Sequence, residues 1–195
     1  MEIPVDILEK CHAEGVAAYP EEACGFISGT SSDPDLLDAV WPMRNIMNDL
    51  HEKDPKLNPR TARDGYLIDP LEQLKLERLL KKKGKEIKVI YHSHPDVGAY
   101  FSEKDKEDAL WNGKARYPGV KFLVCGTTKG KPDGAIIAEF NQDSSDFDII
   151  PINGNSKETL AGIVGGVFGI TGILPTIDFI HQWKNRDLEL QHGYF

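Results

Sequence analysis

The run Ile87-Lys88-Val89-Ile90-Tyr91-His92-Ser93-His94 opens on β-branched and apolar residues, ends in two histidines and stops at Pro95. β-Branched side chains fit a pleated, buried surface, so residues 87–92 read as a central strand. Successive side chains along a strand point to opposite faces, which puts His92 and His94 on the same face and lets both imidazoles converge on one point. Proline cannot donate to a ladder, so Pro95 closes the strand directly after the pair.

Ser102 then opens a helix as its N-cap. Asp105 falls one turn in, where its carboxylate can swing back toward the histidines. Two neutral imidazoles and one carboxylate form a donor set that suits zinc, and three protein ligands leave the fourth tetrahedral position for water, as in a catalytic site. Zinc lowers the pKa of such a water to about 7. Each piece alone has a plainer reading. A His-x-His pair is a weak signal, Ser102-x-x-Asp105 is a helix capping box, and Glu22 is an acid near a strand start.

The rest of the chain supplies a frame. Residues 4–18 read as a helix with Ile7, Leu8, Cys11 and Val16 near one face and Pro4 in the first turn. Residues 22–29 form a short apolar strand, followed by a second strand near 36–41. Residues 45–65 are polar, with Pro55 and Pro59, and read as a long loop of the kind that often serves function. Asp69 and Pro70 start a helix whose apolar positions are Leu71, Leu74, Leu79 and Leu80. Lys81-Lys82-Lys83-Gly84-Lys85 ends it, cations favouring a helix C-terminus and Gly84 its C′ position. Strands follow at 120–125 and 135–140, with a further one at 147–150. The expected fold is α/β in the mixed α+β sense, a domain over residues 1–151 followed by an extension over 152–195.

The formal net charge of −8 argues against broad binding of nucleic acid or anionic lipid. Three scattered cysteines, Cys11, Cys24 and Cys125, make no disulfide framework and fit reduced thiols in a cytoplasmic protein. Residues 159–177 carry no charge but hold five glycines and Pro175, so they suit a continuous membrane helix poorly. The overlapping Gly-x-x-x-Gly pairs between Gly162 and Gly172 place small residues along one side of a helix. Residues 159–180 are therefore expected to be buried, against the catalytic domain or in a homo-oligomer, with membrane insertion the third option.

Taken together, Glu22, His92, His94, Pro95, Ser102 and Asp105 resemble the JAMM (MPN+) zinc metalloprotease motif, an upstream Glu and then His-x-His-Pro, six residues, Ser-x-x-Asp. The likeness covers about residues 1–150, and Pro20-Glu21-Glu22-Ala23-Cys24-Gly25 is especially similar to the small prokaryotic members. It implies a JAB/MPN-type central mixed sheet flanked by helices. It further implies one zinc per chain on His92, His94 and Asp105, Glu22 as general acid/base and Ser102 as oxyanion stabiliser. One Glu can take the proton of water and return it to the leaving amine. Ser102 can also be purely a cap.

The resemblance implies cleavage of a peptide or isopeptide bond at the Gly-Gly tail of a ubiquitin-like or sulfur-carrier protein. About fifteen residues separate Asp105 from the strand at Val120, with no Cys/His cluster, which disfavours a polyubiquitin-specific enzyme. The alternative is a non-catalytic scaffold of the same fold, although such members usually lack part of the motif. A zinc deaminase needs an H-x-E together with a P-C-x-x-C pattern, and that combination is absent. Cys24 sits in an apolar strand and reads as core rather than nucleophile. His12, His51, His181, His192 and Asp96 are left without a role.

Overall fold

A strand apolar on both faces must be covered on both, and the chain does this with helices on either side of one sheet. The computed structural model describes residues 1–152. Its elements run α1 (Val5–Ala18), β1 (Cys24–Thr30), β2 (Ala39–Met43), α2 (Met47–Lys53), α3 (Pro70–Lys82), β3 (Lys85–Pro95), α4 (Glu103–Ala109), β4 (Leu110–Trp111), β5 (Lys114–Ala115), β6 (Lys121–Thr128), β7 (Lys131–Asn141) and β8 (Asp146–Ile152). Six strands form a sheet in the order β2-β1-β3-β6-β7-β8. β3 runs antiparallel to β1 and parallel to β6, so the sheet is mixed. A parallel pair needs a crossover. Here α4 and the small β4–β5 hairpin lie on it.

Alternation sorts the core into two clusters. Ile7, Leu8 and Cys11 of α1 pack with Ile27, Val89 and Tyr91 on one face. Leu76 and Leu80 of α3 join Phe26, Ile90 and Phe122 on the other. Phe101 is wedged there, with its ring centroid 4.9 Å from Phe147 and 5.4 Å from Phe122. Such aromatic pairs add about 0.5–1.5 kcal/mol each beyond their burial. That anchor fixes the chain immediately before Ser102, where α4 begins. Cys11, Cys24 and Cys125 are free and buried.

The local signals act as expected at several points. Asp69 Oδ1 accepts from the Leu71 amide at 2.8 Å, and Pro70 opens α3. Gly84 follows the helix at φ +68°, a left-handed conformation that a Cβ would strain. Other points differ. The expected loop over 45–65 contains α2, which has no buried residue and no side-chain cap bond, so it leaves no apolar period to read. The strand expected near 36–41 lies at Ala39–Met43. In α1 the buried face ends at Gly15, and Val16 is exposed. In α3 Leu71 and Leu74 are exposed, while Leu76 carries the contact expected of them. β8 ends at Ile152, one residue past the expected boundary. The glycine-rich segment and the burial expected of residues 159–180 lie outside the described residues. Among the described residues, no helix is long and apolar enough to cross a membrane.

Candidate metal centre

His92 and His94 stand on β3 opposite Val124 and Gly126 of β6, and His92 also faces Cys24 of β1. Both are buried in the middle of the sheet. Their Nε2 atoms lie 3.0 Å apart. Asp105 closes the group, with Oδ1 3.4 Å from His92 Nε2 and Oδ2 3.6 Å from His94 Nε2. The capping box of α4 aims this carboxylate. Ser102 donates to Asp105 Oδ2 from its amide at 2.8 Å and from its hydroxyl at 2.6 Å, while Ser102 Oγ accepts from the Asp105 amide at 3.1 Å. The capping and chemical readings of Ser102-x-x-Asp105 therefore coexist, because the cap is what turns Asp105 toward the histidines.

Glu22 arrives from the segment before β1. Its amide donates to Ala62 O at 2.6 Å, and its carbonyl accepts from Asn45 Nδ2 at 3.1 Å. Asn45 Nδ2 also donates to Gly65 O at 2.9 Å, and Asn48 Oδ1 accepts from the Ala62 amide at 2.8 Å. Two asparagines thus tie the long connection to the segment that carries Glu22. Donor atoms of Glu22, His92 and His94 all lie within 4.8 Å of one another. Glu22 is 6% exposed, and its carboxylate makes no hydrogen bond among the described residues.

Burial pushes the Glu22 carboxyl up to about 8, helped by the negative charge of Asp105 and opposed by Arg60. Asp105 goes the other way. Burial alone would raise it, but contacts from His92 and His94, with the Ser102 hydroxyl, outweigh that and hold it well below the usual carboxylate range. Burial lowers His92, against the pull of Asp105, and so favours the neutral imidazole that a metal needs. One carboxylate is held ionised and the other poised to carry a proton.

The donor set fits a zinc ion. Bonds of about 2.1 Å in a tetrahedral site set neighbouring ligands roughly 3.4 Å apart, and the three separations here are 3.0, 3.4 and 3.6 Å. Metal-binding histidines usually donate their other ring nitrogen to a partner. Here both Nδ1 atoms are buried without one among the described residues. Aromatic packing fixes the rings instead, with Tyr66 stacked on His92 at 4.5 Å and Tyr100 edge-on to His94 at 4.9 Å. Sequence reasoning missed Tyr66, Tyr100, Asn45 and Asn48, since nothing in their local spacing announces these contacts. Two residues set aside have structural work. Asp96 accepts from Tyr19 Oη and the Lys129 amide, both at 2.8 Å, and His51 Nδ1 lies 2.8 Å from Asn58 O.

Two clefts open near the group and share no lining residue. One, about 660 Å³, is largely apolar, with Tyr66, Ile68, Ile90 and Ala109 on its walls. The other, about 470 Å³, is polar and is lined by Glu22 itself. The connection over 45–65 contributes Met47 and Arg60 to the first and Asn45, Asn48 and Asp49 to the second.

Over residues 4–136 the chain matches the family described as prokaryotic homologues of the JAB domain. It belongs to that family. A desampylase of Haloferax volcanii is 31% identical over 126 residues, 64% of this chain and 73% of the relative. A probable TtuB-protein conjugate cleaving protease of Thermus thermophilus is 30% identical over 125 residues, covering 64% and 69%. A CysO-cysteine peptidase of Mycobacterium tuberculosis is 32% identical over 103 residues, covering 53% and 61%. The fold also matches a solution structure of a Desulfitobacterium hafniense protein, with a TM-score of 0.55 at 24% identity over 75% of this chain and 86% of that one. The chain is thus a JAMM-type metallopeptidase.

Proposed function

We propose that residues 1–151 hold one zinc ion on His92, His94 and Asp105 and hydrolyse the bond that follows the Gly-Gly tail of a ubiquitin-like or sulfur-carrier protein. The observation that carries this reading is the convergence of two imidazoles and the Asp105 carboxylate within 3.6 Å, beside the buried carboxylate of Glu22. Zinc would supply the Lewis acidity that readies a water for attack at neutral pH. Glu22 takes the proton of that water and passes it to the leaving nitrogen. Asp105 stays anionic because its contacts with His92 and His94, joined by the Ser102 bonds to Oδ2, outweigh its burial. As the tetrahedral carbon forms, the Ser102 hydroxyl turns from Asp105 to the developing oxyanion.

The names of the relatives support the substrate class, since one cleaves TtuB–protein conjugates and another is a CysO–cysteine peptidase. An extended Gly-Gly tail suits an approach beside aromatic side chains, and Tyr66, Phe26 and Tyr117 line the larger cleft. The reading places the enzyme in the cytoplasm, in keeping with its three free thiols. The test is mass spectrometry of carrier–lysine and carrier–cysteine adducts incubated with the zinc-loaded and the chelator-stripped protein. Release of free carrier by the loaded protein alone is expected. Intact adducts in both samples would remove the assignment.

A further inference from the structure

If Glu22 returns its proton to the leaving nitrogen, that nitrogen must sit within hydrogen-bond reach of its carboxylate. The leaving group then extends into the cleft that Glu22 lines, and the carrier's tail is left with the apolar cleft beside Tyr66. The polar cleft has a negative wall. Glu14, Glu21 and Asp49 line it, and Arg44 is the one cation on its walls among the described residues. Arg44 is already paired with Asp49, and Glu21 Oε1 accepts from Asn48 Nδ2 at 2.9 Å. Glu22, 6% exposed, lines it as well, with a carboxylate oxygen within 4.8 Å of ring nitrogens of His92 and His94.

We propose that this cleft is the leaving-group site and that its charge selects a lysine side chain over an amino acid bearing a free carboxylate. The inference rests on the peptidase reading above and names its preferred substrate, an isopeptide conjugate. In the isopeptide, the atoms beyond the scissile nitrogen are a neutral methylene stem, which a cleft of about 470 Å³ accommodates. Hydrolysis breaks the C–N bond, adds hydroxide from water to the glycine carbonyl and delivers a proton through Glu22 to the amine. The product lysine is cationic, and the acidic wall stabilises it. A cysteine joined through its α-amine instead carries its carboxylate two bonds from the scissile nitrogen, facing Glu21, Glu14 and Asp49. Such a like-charge approach lowers its turnover rather than blocking the site.

The experiment uses the zinc-loaded full chain and one acyl donor, a peptide ending in Gly-Gly, joined to three leaving groups. These are the ε-amine of Nα-acetyl-lysinamide, the α-amine of cysteine and the α-amine of cysteinamide. The lysine conjugate should exceed the cysteine conjugate about tenfold in kcat/KM, and cysteinamide, which lacks the carboxylate, should recover most of the difference. Raising ionic strength on the unaltered enzyme should narrow the gap, since exposed charges are screened. Glu14→Gln with Glu21→Gln should narrow it too, by raising the cysteine rate, with a thermal melt and a zinc content like the parent's as the control for folding. Equal rates for cysteine and cysteinamide, or a gap unmoved by both salt and substitution, overturn the inference while leaving the peptidase reading intact. No cleavage of any of the three overturns the peptidase reading and this inference with it.

Discussion

Along β3 the side chains of Val89, Tyr91 and Ser93 enter one face of the sheet, those of Ile90, His92 and His94 enter the other, and all six are buried. On the first face Val89 and Tyr91 pack beneath α1, and Ser93 Oγ accepts from the Ala23 amide at 2.9 Å. Tyr91 Oη and Thr127 Oγ1 lack a partner among the described residues, but both are neutral hydroxyls. The second face gathers two imidazoles and the carboxylates of Asp105 and Glu22. Apart from the two Ser102 bonds to Asp105 Oδ2, their donor atoms face one another. Buried polar groups without good partners destabilise a fold by roughly 1–3 kcal/mol each. One face therefore contributes to stability, while the other lowers it unless a cation is bound.

The largest effect should come from the donors themselves. His92→Ala, His94→Ala and Asp105→Ala should each abolish stoichiometric zinc and all turnover, while the chelator-treated histidine variants unfold no earlier than the chelator-treated parent. Metal analysis and paired thermal melts check this. A variant that keeps full zinc would take its residue out of the ligand set.

Glu22 sharpens the comparison, because it joins the polar cluster without serving as a proposed ligand. Glu22→Gln should retain zinc and fold yet lose about 10²–10⁴-fold in turnover, since an amide cannot shuttle the proton. It should also alter the metal-free protein. Glu22 rises from 4.5 unfolded to about 8 folded, so the folded state holds its proton more tightly. That stabilisation is complete below pH 4.5 and is lost as the pH climbs through 8, a swing of at most roughly 5 kcal/mol. Melts of the stripped protein from pH 5 to 9 should slope downward, and Glu22→Gln should flatten the slope. Parallel profiles would mean that Glu22 is not held protonated.

The same two faces show how much could be read in advance. Period-two alternation separates Tyr91 and Ser93 from His92 and His94, and Ser102-x-x-Asp105 announces a cap, because both signals depend on neighbours a few residues away. Lys129 and Gly130 turn at φ +51° and +70° between the antiparallel β6 and β7. Asn112-Gly113, at φ +50° and +71°, is the same kind of signal, and it went unread because the strands it joins are two residues each. The stacking of Tyr66 on His92 joins positions 26 apart in the chain, so only the assembled sheet displays it. The ties from Asn45 and Asn48 are likewise tertiary. Polarity marked that segment as a loop, whereas its amides and carbonyls are what hold Glu22 in place.

The smallest effect belongs to the face without chemistry, and Gly15 is where to look for it. Gly15 is buried on α1 against β3 and β6, and a Cβ there would meet Thr127 Oγ1 at 2.8 Å and Ser93 Cβ at 3.0 Å. Alanine is the better helix former by about 1 kcal/mol, so local propensity favours Gly15→Ala. Packing opposes it, since overfilling a tight contact between a helix and a sheet typically costs about 1–3 kcal/mol. Thr127 is β-branched and wholly buried, which leaves its hydroxyl little room to turn away. Packing should win, with a net loss of about 1 kcal/mol in denaturant unfolding, while zinc content and kcat remain those of the parent. If Gly15→Ala instead reduced zinc binding, Ser93 would be transmitting strain to the histidines on either side of it, and the two faces of β3 would not be separable.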